Sequence, residues 1–89
     1  MAVALPAQLT IDDARGALDA LDAAALAQGA GPLVLDASAL ARFDTSAVAV
    51  LLEMSRRAQA RRQTLQISGA PAALGQLVRL YGVDGLLPL

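Results

Sequence analysis

Chemistry in this chain has to come from hydroxyls and carboxylates, because its 89 residues include neither Cys nor His. That composition removes thiol nucleophiles, disulfides, imidazole acid–base catalysis and the usual zinc ligands. The best-placed hydroxyls are those of Thr45 and Ser46. They follow Asp44 and open the apolar stretch Ala47-Val48-Ala49-Val50-Leu51-Leu52. The first turn of a helix carries unpaired backbone N–H groups and a partial positive charge. A side-chain cap, a phosphate or a docking partner could therefore be accommodated at Thr45 and Ser46.

Other reactive-looking groups have plainer readings. Asp36 and Asp44 fall near the expected C-terminal edge of a sheet, where α/β proteins commonly place their sites, but no Lys, His or phosphate-cradling loop accompanies them, so they read more simply as loop and cap residues. Asp12, Asp13, Asp19 and Asp22 lie on or beside a first helix and read as a solvated face, since no convergent carbonyl loop joins them. Gly29-Ala30-Gly31 precedes Pro32 and a strand instead of a helix, so it is no dinucleotide fingerprint. Arg56, Arg57, Arg61 and Arg62 could meet acidic headgroups or an acidic partner, yet helix-dipole pairing and solvation explain them more simply. With no nucleophile–base pair, metal set or cofactor loop, neither an enzyme nor a cofactor or metal site is expected.

The elements that position these residues follow from apolar spacing. Ala2-Val3-Ala4-Leu5 is a candidate first strand interrupted by Pro6. A first helix is expected with apolar positions Ile11, Ala14, Leu18, Leu21 and Ala25, capped by Thr10 or Asp12 and ended at Gly29-Ala30-Gly31-Pro32. Leu33-Val34-Leu35 reads as a central strand buried on both faces. A second helix runs from Thr45 to about Arg62, with Glu53 and Arg57 as a favourable i,i+4 pair. At about 100° per residue, Ala47, Val48, Val50, Leu51, Met54 and Ala58 share one broad arc facing the sheet. Thr45, Ala49, Leu52 and Arg56 form a separate stripe. That stripe has two readings: a cap, a core edge and a solvated Arg, or a protein contact anchored by a few residues. Thr64 to Ser68 gives a third strand. Gly69-Ala70-Pro71 starts a last helix carrying Leu74, Leu77, Val78 and Tyr81 on one face, and Gly82 stops it. The apolar tail from Val83 to Leu89 is expected to pack down.

Alternation of strand and helix, with no internal repeat or linker, predicts one α/β domain over 1–89 with a mostly parallel sheet and helices mainly on one face. At this length roughly 60–65 % of the unfolded surface becomes buried, enough for one two-layer core. The chain is 56 % apolar with only Phe43 and Tyr81 as aromatic rings, so that core is aliphatic. An apolar ligand cavity would have to be emptied from it, which argues against lipid binding by the chain itself. A net charge of −1, with no single-sign block, disfavours nucleic acid. No apolar run approaches the ~20 residues of a membrane span, and the N-terminus lacks a signal-type core, which gives a cytoplasmic expectation. The high apolar fraction also predicts self-association wherever a partner-covered patch is left open.

Leu33-Val34-Leu35-Asp36-Ala37-Ser38, then Phe43-Asp44-Thr45-Ser46-Ala47 opening a helix, then Leu65-Gln66-Ile67 and a Leu/Val-rich final helix, resemble a STAS domain over nearly the whole chain. This is the small fold of anti-sigma-factor antagonists and of sulfate-transporter tails. The Asp44-Thr45 pair, together with the ending Leu80-Tyr81-Gly82-Val83-Asp84-Gly85-Leu86-Leu87-Pro88, is most similar to the STAS subunits of Mla-type phospholipid ABC transporters. The resemblance implies a small mixed sheet with about three helices on one side, and a start at what would be the second strand of larger members, without the first edge strand. It also implies a non-catalytic subunit peripheral to the inner membrane that binds an ABC-type ATPase, with the permease in the full complex, and so supports outer-membrane lipid asymmetry. Contact would run through Asp44, Thr45, Ser46, Ala49, Leu52 and Arg56. The antagonist branch implies an alternative: an anti-sigma kinase as partner and Thr45 as the phosphorylated residue. Here the acceptor is Thr, and Ala47 stands where that branch has Gly.

Overall fold

The computed structural model describes residues 2–89. Its elements are β1 (Ala2–Ala4), β2 (Gln8–Leu9), α1 (Ala14–Gln28), β3 (Leu33–Asp36), β4 (Arg42–Phe43), α2 (Thr45–Ala60), β5 (Leu65–Ser68) and α3 (Ala72–Leu80). One three-stranded sheet has the order β1-β3-β5, and β2 pairs with β4 in a separate two-stranded sheet. All of these pairings are parallel. The expected α/β architecture therefore holds, with a small parallel sheet and three helices.

Register explains which face is dry. Val3 pairs with Leu35 and Leu35 with Ile67, while Leu33 pairs with Leu65, so these five side chains share one face by the period of 2. Leu33 and Leu35 are buried, and Val3, Leu65 and Ile67 pack against the core. The opposite face carries Ala2, Ala4, Val34, Asp36, Gln66 and Ser68, none of which is buried. The reading of β3 as buried on both faces is corrected accordingly: it is central, but Val34 points to the more open side.

The core is closed by the helices. In α2, Ala47, Val48, Val50, Leu51, Met54 and Ala58 are all buried, which is the arc their spacing predicts. From α1 come Leu21 and Ala25, and from α3 come Leu74 and Val78. Tyr81, expected on that last apolar face, is instead exposed, because α3 ends at Leu80 and Tyr81 is its C-cap. The tail packs only in part: Leu87 is buried and Val83 lies against the core, whereas Leu86 and Leu89 face solvent.

Charged side chains tie α1 to α2. Asp22 accepts from Arg61 Nη2 at 2.6 Å and faces Arg57 Nη1 at 3.0 Å, and Arg57 Nε also reaches Glu53 Oε2 at 2.8 Å. Asp22 is thus no member of a solvated face, and two of the four arginines near the end of α2 serve an interhelical contact. At the other end of the sheet, Gly69 adopts φ 67°, and a Cβ there would stand 2.9 Å from Ser38 Cβ. The loop after β5 can close on the loop after β3 only because that side chain is missing.

An open apolar groove of about 1070 Å³ lies between β1 and α1, lined by Val3, Leu5, Gly16, Ala20 and Ala24 among others. It lies on the surface, so it is formed without emptying the core. Thr45, Ser46, Ala49, Leu52 and Arg56 do not line it.

Leu51 is fully buried at the centre of the α2 arc, so Leu51→Ala is expected to cost about 2–5 kcal/mol, read from the shift in urea midpoint.

Candidate functional site

The start of α2 is fixed by short-range strand pairing. Leu9 pairs with Phe43, so the residues that leave these two strands, Thr10-Ile11 and Asp44, emerge side by side. Ala41 and Arg42 extend the contact by donating their amides to Ala7 O at 2.8 and 3.0 Å. Leu9 is buried and Phe43 packs on the core, which anchors the pair. Neither of these two-residue strands is expected from the sequence pattern. Two residues carry no measurable alternation, so periodicity is blind to them.

Asp44 is the N-cap of α2. Its backbone is extended (φ −129°, ψ −163°), and its Oδ1 accepts from Ser46 N at 2.8 Å. The other oxygen, Oδ2, accepts from Ile11 N at 3.1 Å. The Ser46 amide chiefly, and then the Ile11 amide, hold the Asp44 carboxyl below the ordinary carboxylate range, against the opposing effect of partial burial. Of the two residues that the sequence offers as caps of this helix, Asp44 takes the role and Thr45 does not. Thr45 is exposed, and its hydroxyl makes no hydrogen bond among the described residues.

Along the stripe, Ala49 is exposed one turn beyond Thr45, and Leu52 is half-buried against the core. Arg56 is exposed but engaged: Nε and Nη2 donate to the two Glu53 oxygens at 2.8 and 2.7 Å. From Thr45 to Arg56 the stripe spans about 16 Å at 1.5 Å per residue. Its open portion is the Thr45–Ala49 end. Asp44, Thr45 and Ser46 are brought together as one capped turn, Leu52 belongs to the core edge, and Arg56 is bound within its own helix.

Ile11 is the residue that sequence reasoning misplaced. Its spacing places it on the apolar face of the first helix, but α1 begins at Ala14 with Asp13 as N-cap. Residues 10–13 form a turn: Asp13 N donates to Thr10 O at 3.0 Å, and Asp13 Oδ2 accepts from Thr10 N, Thr10 Oγ1 and Gln8 Nε2 at 3.1, 2.8 and 3.1 Å. The expected caps, Thr10 and Asp12, are replaced by this arrangement, and Ile11 is left 75 % exposed. The Thr10-x-x-Asp13 spacing was the available signal, since short polar side chains compete with helix formation by bonding nearby backbone.

Asp36 is spent similarly, its Oδ1 accepting from Ser38 N at 2.9 Å. Among the described residues no group of three or more His, Cys, Asp or Glu side chains is arranged to hold a metal ion. No described helix is long and apolar enough to cross a membrane. What the arrangement offers chemically is a rigid, capped helix start that presents a hydroxyl, a small residue and an exposed aliphatic.

The acid response of this helix follows from Glu53, whose two arginine partners, Arg56 first and then Arg57, lower its pKa from 4.5 to about 2. The unfolded chain then binds this proton at higher pH than the folded one. The associated stability is present above about 4.5 and is lost as pH falls towards 2. In urea titrations at pH 6, 4 and 2.5, Glu53→Gln is expected to lower stability at pH 6 and to flatten its fall across that range.

A comparison with curated protein sequences finds no match. A family model described as "Mlab, STAS domain" matches residues 1–88. The match runs through both sheets, the capped turn at Asp44-Thr45-Ser46 and the final helix, and it agrees with the resemblance drawn from those same segments. The chain therefore belongs to the STAS family, in its MlaB-type branch.

Proposed function

We propose that this chain is a single-domain, non-catalytic subunit that binds the ATPase of a bacterial phospholipid ABC transporter through the start of α2. In this reading it sits on the cytoplasmic side of the inner membrane, reaches the permease only through the ATPase, and supports outer-membrane lipid asymmetry. STAS domains are generally non-catalytic, and the MlaB-type match supports a regulatory role in such a system.

The observation that carries the reading is the state of the first turn of α2. Its cap is satisfied inside the chain by Asp44, while Thr45 and Ala49 are exposed with nothing above them. Thr45 offers a hydroxyl whose donor and acceptor capacity is unspent, and Ala49 is small enough to admit a close approach. Such a surface suits a partner that buries the helix start and bonds the Thr45 hydroxyl in place of water. Arg56, held by Glu53, contributes from the rim of the contact rather than its centre.

A second reading, the phosphorylation switch, is favoured by the same exposed hydroxyl. A phosphate on Thr45 would add about −1.5 to −2 charge at pH 7 at the positive end of a helix, where it is tolerated. An anti-sigma kinase would then be the partner, and a phosphorylated Thr45 would be found by intact-mass analysis of the protein from native cells.

Thr45→Arg introduces bulk and an unpaired charge at the centre of the proposed contact. It is expected to cost at least about 2 kcal/mol of ATPase binding while leaving the urea midpoint unchanged. Undiminished co-purification of the ATPase with this variant would contradict the site.

A further inference from the structure

We draw no further inference here: the strongest candidate, the open apolar groove between the edge strand β1 and the glycine and alanine side of α1, is an unpartnered face, and nothing in the structure shows what covers it.

Discussion

One carboxylate joins the two segments on which the candidate surface depends. Asp44 gives Oδ1 to the first turn of α2 and Oδ2 to the turn that precedes α1, segments 33 residues apart in the chain. Without it the Ser46 amide would be left to water, and the 10–13 turn would lose its only described bond to the start of α2. Because Asp44 takes both roles, Thr45 is left with an unspent hydroxyl at an exposed position. The function proposed for Thr45 is in this sense a consequence of the cap beside it.

The scaffold beneath that turn is stiff for reasons that lie elsewhere. The aliphatic arc of α2 is buried against β3 and its neighbours, and the far half of the helix is tied to α1 through Asp22, Arg57 and Arg61. These ion pairs are partly exposed, so each is worth little alone, but Arg57 shares Glu53 and Asp22 and links them into a network. In the proposed docking, a partner at the start of α2 would meet an element held along its length, with the ionic contacts at one end and the capped turn at the other.

Much of this was legible in the amino-acid sequence because it depends on repeated spacing. Helices α1, α2 and α3 and strands β3 and β5 emerge from apolar periodicity, and the buried arc of α2 was read residue by residue. Three features were not. The two-residue strands β2 and β4 are too short for alternation to register, although they bring Ile11 and Asp44 together. Ile11 kept helical spacing with Ala14 and Leu18 and so was drawn into a helix that in fact begins at Ala14, after the Thr10–Asp13 turn. Asp22 looked like one more solvated acid because its arginine partners lie 35 and 39 residues away. For the short strands and for Asp22 the deciding interaction is tertiary and a local pattern carries no trace of it, whereas for Ile11 the local Thr10-x-x-Asp13 spacing is the trace that apolar periodicity overrides.

The most direct test of the account is the identity of the partner. The tagged chain, recovered from native membranes in mild detergent, would be analysed by mass spectrometry for what co-purifies in stoichiometric amount. The account predicts an ABC-type ATPase together with its permease. Recovery of a soluble kinase-like protein, with no transporter components, would contradict it.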